Sequence, residues 1–510
     1  MNSNGFRVLF LYPNLMLQTM FPQAITCFSS LLKERGHKVD IFDTTFYETE
    51  DMTSDEHRIS NLQVKPYDAK KHRETVRPLE NMIPDLRAKV ESFQPSLIAV
   101  SALEDTFTLG VTLLEAIRDY RVPNIVGGVF PTFAPEKALR EQAVDMICVG
   151  EGEGALVDLC EALSKGKDYS KIRNLWVKKP DGEIVRNPLR ETISLDTLPI
   201  ADFSLFDPNR FYKPMKGKLL RMASVETHRG CPYKCTFCNS PGQIQLYKGA
   251  NAGDFFRLKK VVNVHRELRN LKDNFNVEYI HFPADTFLAM PDTYLHEFAE
   301  MYQDVKLPFW CQTRPETLTT QRIRILEKMG CRDMSVGIEH GNEEFRKNVV
   351  KRPYTNDELI TSFNRLQGTS IRVSVNNIVG MPLETRDLTW DTIWMNRKIQ
   401  HLLYSANAFH FVPYHGTPLR ELALKLGYIT EETKLACIAK DTVLNMPQYS
   451  RDQIKGVVRT FTPYMRYPES EFPRIQVAER LDDEGNAAFA ELQKEFIERY
   501  FMDDVVSVHA

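Results

Sequence analysis

The chain has 510 residues, with 65 lysines and arginines against 68 aspartates and glutamates, for a formal net charge of −3. That length exceeds one ordinary core and implies two or three domains, and the near-neutral balance gives no general pull towards nucleic acid or anionic lipid. No apolar run approaches the ~20 residues of a membrane helix, and nine cysteines, odd in number and unevenly spread, do not make a disulfide framework, so a cytoplasmic protein with reduced thiols is expected.

The opening MNSNGFRVLFLYPN reads as a first strand rather than a secretory signal. In FPQAITCFSSLLKERGH, residues Phe21, Ile25, Phe28, Leu31 and Leu32 share one helical face. A second apolar run, KVDIFDTT, precedes a long polar insert whose most basic stretch, KPYDAKKHRETVR, reads as a solvated helix face. PSLIAVSALEDT, the helix LGVTLLEAIRDY, NIVGGVFPTF and VDMICVGEGE follow. β-branched runs alternating with amphipathic helices predict an α/β domain with a doubly wound parallel sheet.

Ligands lie beyond the carboxyl ends of such strands. The residues there are Pro13 and Asn14, Asp43 and Thr44, Ser101, Leu103 and Glu104, Gly127, Gly128 and Val129, then Gly150, Glu151, Gly152 and Glu153. Paired glycines let a bulky planar ligand approach the backbone, although many helix-flanked sheets end strands in glycine for purely structural reasons. Neither GGVF nor GEGE has the strand–GxGxxG–helix form, which disfavours a dinucleotide.

Three cysteines, Cys231, Cys235 and Cys238, stand on one short loop after MASVETHR. Structural zinc wants four ligands, usually in two separated pairs, and no second CxxC or HxxxH follows. Three thiolates suit a [4Fe–4S] cluster with one iron left open. Three buried or zinc-bound cysteines are the alternative. Pro232, Tyr233 and Phe237 fit a loop wrapped round a cluster.

HRGCPYKCTFC resembles the signature of the radical SAM enzymes, whose open iron chelates S-adenosylmethionine. The resemblance implies a partial (β/α)6 TIM barrel, reactive at the C-terminal strand ends. VEYIHFPADTF resembles its second strand, with Asp285 towards the methionyl amino group; PFWCQTRPE a third, ending in Arg314; and DMSVGIEHGNEEFRK a fourth, with Glu339 towards the ribose. IRVSVNNIVGMPLET resembles the fifth, with Gly380 and Met381 near adenine, and AFHFVPYHGTPL the sixth. Between them LKKVVNVHRELRNL reads as a helix whose face holds Leu258, Val261, Val262, His265 and Leu268. Phe237 joins the cofactor contacts on the same ground.

Beside such a barrel, residues 1–165 resemble the Rossmann-like cobalamin-binding domain of the B12-dependent radical SAM subgroup. Residues 166–204 resemble its hairpin and linker, 205–424 form the barrel, and 425–510 a helical extension that covers the barrel's open side or makes an oligomer contact. Domains with a histidine below cobalt carry Asp-x-His-x-x-Gly after the first strand, and LYPNLMLQTMFPQ has none. Cobalamin, as methylcobalamin, is therefore expected base-off without a histidine ligand, with Leu103 or Glu104 towards its lower face.

The resemblance implies that cobalamin takes a methyl group from one S-adenosylmethionine while the reduced cluster cleaves a second to a 5′-deoxyadenosyl radical. That radical abstracts hydrogen from a small-molecule substrate, which collects the methyl group on an unactivated carbon or a phosphinate. Cyclisation, rearrangement or oxidation without methyl transfer is the alternative. A one-electron reductant such as flavodoxin or ferredoxin is implied as partner, with no nucleic acid and no membrane span. His340, Tyr414 and His415 are candidate catalytic residues beside the cluster cysteines, since imidazole titrates near neutrality, whereas His281 and His410 read as core residues on a strand face.

Overall fold

The computed structural model describes residues 5–501; the outermost residues of the first and last expected domains, 1–4 and 502–510, lie outside that range. The first sheet holds β1 (Arg7–Tyr12), β2 (Lys38–Asp43), β3 (Leu97–Ser101), β4 (Asn124–Gly127), β5 (Met146–Cys148), β6 (Leu175–Lys178) and β7 (Ile184–Arg186), in the order β2-β1-β3-β4-β5-β6-β7. β1 to β5 run parallel, and β6 and β7 pair antiparallel at the edge. The hairpin after residue 166 is therefore part of this sheet rather than a free linker.

Strand side chains alternate between faces, so a sheet covered on both sides needs apolar residues at every position. Val8 and Phe10 of β1 pack with Ile25, Leu32 and Leu159 of the helices Gln23–Glu34 and Glu153–Ser164. Leu9 and Leu11 pack on the other face with Leu86, Val90 and Leu114 of the helices Met82–Phe93 and Glu104–Glu115. This is the doubly wound arrangement expected.

The second sheet follows: β8 (Tyr212–Met215), β9 (Lys218–Ser224), then β12 (Tyr279–Phe282), β13 (Phe309–Thr313), β14 (Cys331–Glu339), β15 (Arg372–Val379) and β16 (Leu403–His410). A small antiparallel pair, β10 (His228–Arg229) with β11 (Arg257–Leu258), stands between them in the chain. The order β16-β15-β14-β13-β12-β9-β8, with six parallel strands and β8 antiparallel, curls into a half-barrel. Met334, Val336 and Ile338 of β14 join the apolar core, while the intervening Ser335 lines an interior cavity.

Several local expectations change. The helix Val261–Phe275 buries Val261, Val264, Leu268 and Leu271 and leaves Val262 exposed, a face one step round from that read in the sequence. The charged run 65–77 is helical only over Lys70–Arg73, and Lys65 and Tyr67 line a cavity instead. The insert containing it closes the half-barrel's open side: Gln63 Nε2 donates to the Ala408 carbonyl at 2.8 Å and Arg58 Nη2 to Asn407 Oδ1 at 3.2 Å. A helix over Pro418–Lys425 ends the barrel, a long irregular stretch follows, and the helical extension resumes with later helices that include Phe472–Glu479 and Asp483–Tyr500. The unanticipated helix Arg451–Arg466 begins at a Ser450–Gln453 capping box and carries Pro463 in its interior. It packs on β16, and its Ile454 sits under Gly380. Among the described residues no helix is long and apolar enough to cross a membrane.

Candidate functional site

A ligand-sized cleft in the first sheet adjoins the three-cysteine loop, and a second cavity lies deeper, inside the half-barrel. Gly230 opens that loop in the left-handed region (φ 83), where a Cβ would meet the Phe255 ring at 2.9 Å. Cys231 and Cys235 are buried and Cys238 is half-buried. Cys231 Sγ lies 3.4 Å from Thr286 Oγ1, and the Ser240 amide donates to Cys238 Sγ at 3.4 Å.

Cys235 Sγ accepts from Arg314 Nη1 at 3.2 Å and from Arg352 Nε at 3.3 Å, all three groups being buried. Two guanidinium donors suit a thiolate far better than a thiol. Burial pushes the Cys231 thiol up and the Cys238 thiol up to about 12, the neighbouring thiols adding to the push. A bound cationic centre reverses that, because a coordinating thiol is deprotonated outright. Among the described residues no three His, Cys, Asp or Glu side chains close on a point as ligands of a single ion do. Cluster cysteines each bind a separate iron and need only border one space. The donor set fits a thiolate-held cluster.

Around the loop stand the other strand-end residues. Asp285 stays open to water yet is hemmed in by protein, so desolvation raises its carboxyl. Glu339 sits where the β14–β15 register shifts, with φ 64, and its Oε1 is 3.1 Å from Arg352 Nη2. A left-handed glutamate at a bulge is strained backbone that re-aims a side chain. Burial raises its carboxyl while Arg352 and Arg314 pull it down. Arg314 also stacks 3.8 Å over Tyr233, and Arg352 lies 5.6 Å over Phe237. The Gly380 turn (φ 87) gives both its Gly380 and Met381 amides to Glu384 Oε2, at 2.7 and 2.9 Å. Met381 is fully buried.

In the first sheet a cleft of about 290 Å³ opens between the strand ends and the helices Gln23–Glu34 and Glu153–Ser164. Its depth is apolar, with Phe10, Phe28, Ile125 and Leu156; Ser101, Gly127, Gly128, Val129, Gly150, Glu151, Gly152 and Glu153 of the expected set line it. A Cβ on Gly127 would meet nothing nearer than Cys148 Cβ at 3.8 Å, so the space beside it is free for a ligand. Gly128 (φ 126) is different: its Cβ would stand 2.2 Å from the Ala102 carbonyl oxygen. An apolar slot floored by glycine and rimmed by carboxylates fits the heterocyclic tail of a large cofactor. No histidine lines it.

The first-sheet cleft is fixed to the cysteine loop. Arg229, immediately before the cysteine loop, donates through Nη1 to Glu151 Oε1 at 2.8 Å and Glu153 Oε1 at 2.7 Å, and through Nε to Glu226 Oε1 at 3.1 Å. Arg257 also binds Glu151, and Tyr247 accepts from the Glu151 amide at 2.7 Å.

Other expected residues serve the scaffold. The Asn14 amide donates to Thr44 Oγ1 at 2.7 Å, Asp43 pairs with buried Arg210 at 2.5 Å, and Pro13 packs under Gly110, so none of these lines the cleft. Leu103 is exposed to solvent. Glu104 is spent on His415, accepting its amide at 2.9 Å and facing its Nδ1. His340 is not in an open loop. It is fully buried, accepts the Asn342 amide at 3.1 Å and stacks on Phe345 at 4.3 Å. Tyr414 is half-buried, its phenol raised by desolvation, and lines neither cavity described here. Sequence reading missed Arg229, Glu226, Arg352 and Glu384. Arg229 adjoins the cysteine motif and Glu384 the GMPLE turn, but neither arginine nor glutamate carries a local spacing signal.

An α/β sheet with a ligand cleft at its carboxyl edge, joined to a half-barrel bearing a three-cysteine loop, defines a two-cofactor enzyme class. Residues 225–393 match the model of the radical SAM superfamily, and residues 16–160 match that of the B12 binding domain. The chain thus carries a B12-binding domain followed by a radical SAM domain. Among curated proteins it is 25% identical over 382 residues to an uncharacterized methyltransferase of Pyrococcus horikoshii, PH0819, covering 74% of this chain and 79% of that one. It is 23% identical over 359 residues to the anaerobic magnesium-protoporphyrin IX monomethyl ester cyclase of Rubrivivax gelatinosus, covering 67% and 60%. Among solved structures, the cobalamin-dependent S-adenosylmethionine radical enzyme OxsB superposes with a TM-score of 0.66 at 14% identity, covering 98% of this chain and 72% of that one. The radical S-adenosylmethionine methyltransferase TsrM of Kitasatospora setae gives 0.60 at 18% identity, covering 84% and 76%. At these identities the superpositions establish the fold.

Proposed function

We propose that this enzyme is a cobalamin-dependent radical SAM methyltransferase that delivers a methyl group to an unactivated carbon or a phosphinate of a small molecule. The observation that carries the reading is Arg229, whose one guanidinium binds the carboxylates at the first sheet's ligand edge and opens the cysteine loop. Two cofactor sites tied together in this way suit a reaction that needs both at once. When bound, the cluster with S-adenosylmethionine supplies a 5′-deoxyadenosyl radical and cobalamin supplies the methyl group.

In this reading the chain's own residues bind, orient and exclude water. Cys231, Cys235 and Cys238 hold the cluster, and Arg314 and Arg352 stabilise negative charge on Cys235. Asp285 accepts from the methionyl amine, Glu339 faces the ribose, and the Gly380 turn is held rigid by Glu384 against the adenine. The cleft over Gly127, which no histidine lines, would hold the cobalamin tail. A one-electron reductant of the flavodoxin or ferredoxin kind completes the system. Cyclisation without methyl transfer is the second reading, favoured by the cyclase among the relatives.

Anaerobic purification with hydroxocobalamin, followed by cobalt and iron counts, tests the proposal. About one cobalt and four irons per chain are expected, with 5′-deoxyadenosine released from S-adenosylmethionine under dithionite. Cys235→Ala removes the brown absorbance and that release. Four irons without cobalt refute the methyl-transfer reading, and cleavage that survives in Cys235→Ala refutes the cluster assignment.

A further inference from the structure

A second cavity, of about 340 Å³, lies inside the half-barrel. Four of its wall residues lie on successive strands, each four residues before a strand-end residue: His281 before Asp285, Trp310 before Arg314, Ser335 before Glu339 and Asn376 before Gly380. At ~3.3 Å per strand residue the cavity lies about 13 Å beneath the reactive edge along the same strands. It is closed by the 48–77 insert and by the β8–β9 turn.

Cations predominate there. Lys216 enters from that turn with left-handed backbone (φ 52), donates to Ser374 Oγ at 2.7 Å and lies 3.8 Å over the Tyr404 ring. Asp333, the carboxylate that acts on its charge, already binds Tyr279 at 2.6 Å and Arg372 at 2.8 Å. Burial pulls the Lys216 ammonium down to about 7, with Arg58 and Arg372 adding to the pull. Arg58 reaches in from the insert, pairs with Asp55 at 3.1 Å, and has a buried Nε that meets no acceptor. Asp55 is the one carboxylate in the lining, against Arg58, Lys65 and Lys216, while burial pulls Lys213, which donates to the Thr19 carbonyl, well below the usual lysine range. A buried ammonium without a carboxylate is costly, and an arriving anion offsets that cost. The rest of the wall includes Met222, Phe409 and Trp310, the last stacked on His281 at 4.3 Å.

We propose that this cavity is the substrate's site and takes a small molecule bearing a carboxylate or phosphate, its anion held between Lys216 and Arg58. Its apolar remainder runs along Trp310 towards the cluster edge. The assignment of the occupant as substrate rests on the radical reading above; the anion specificity does not.

Isothermal titration of the full-length, cluster-reconstituted protein at pH 7 with phenyl phosphate, phenylacetate and neutral benzyl alcohol tests it. At least one anion binds about tenfold or more tightly than benzyl alcohol, a difference of ~1.4 kcal/mol; which one identifies the group. Lys216→Gln weakens that anion about tenfold and leaves benzyl alcohol unchanged. Equal affinities, no binding by either anion, or anion binding unaltered in Lys216→Gln overturns the proposal. The probe comparison on unmodified protein decides even where the variant fails to fold. Uncoupled 5′-deoxyadenosine release is read separately. Protein that cleaves S-adenosylmethionine but ignores the anions loses only the cavity assignment, whereas protein that binds them without cleavage loses the radical reading.

Discussion

His415, beyond the last barrel strand, is bound to Glu104, at the end of the third strand of the first sheet: the carboxylate accepts the His415 amide at 2.9 Å and faces its Nδ1, with both side chains about 90% buried (11% and 10% exposed). The His415 carbonyl in turn accepts from Asn239 Nδ2 in the cysteine loop at 2.5 Å. One histidine therefore ties both sheets to the loop, and it acts as a strut where a catalytic group was expected.

Removing one member of a buried hydrogen-bonded pair leaves the other without its partner. Glu104→Ala and His415→Ala are each expected to cost about 1–3 kcal/mol of stability, with a double mutant clearly less damaging than the sum. Denaturant unfolding of the four proteins measures the coupling. Strict additivity would show the pair to be idle.

Arg352 touches Cys235 across 117 residues of chain. A cationic donor to a cluster thiolate favours the reduced, more negative state. Arg352→Gln is expected to lower the cluster's reduction potential while iron content stays near wild type. Redox titration followed by electron paramagnetic resonance checks this, and an unchanged potential sinks it.

The two adjacent glycines of the first-sheet cleft should fail in different ways. Gly127→Leu extends into open space, so cobalamin retention is lost while iron content and melting temperature hold. Gly128→Ala meets the Ala102 carbonyl at 2.2 Å in a left-handed conformation and costs roughly 1–3 kcal/mol or more of stability. Thermal melts with cobalt counts separate the two; identical behaviour would contradict the cleft's placement.

Two buried histidines, His228 and His410, and the half-buried cavity residue His281 make the fold acid-sensitive. Burial lowers His228 and His410 to about 4 and His281 to about 3. Their folded values lie below the unfolded value of about 6.5, so the unfolded chain binds more protons below that pH. Stability is fully present above about 6.5 and falls as pH drops towards the folded values, then levels off. His410→Asn should flatten that slope in denaturant titrations at pH 7, 6 and 5; an unaltered slope counts against its burial as neutral imidazole.

Much of the architecture was legible in local pattern. Continuous β-branched runs alternating with 3.6-period helices specify a doubly covered parallel sheet, and the spacing of Cys231, Cys235 and Cys238 on one loop is covalent fact. The helix Arg451–Arg466 carries Pro463 inside it, so its stability comes from packing on β16 rather than propensity. Gly128 was legible too, because only glycine tolerates its approach to the Ala102 carbonyl.

The chain by itself thus determined which elements form and where thiolates cluster, since periodicity and loop spacing act over a few residues. Only the tertiary structure decided which buried charges meet. Asp43 went to Arg210, Glu104 to His415, Glu151 to Arg229 and Arg352 to Cys235, pairs separated by 167, 311, 78 and 117 positions. A buried charge must find its partner wherever packing brings one within ~4 Å, and no sequence period records that distance.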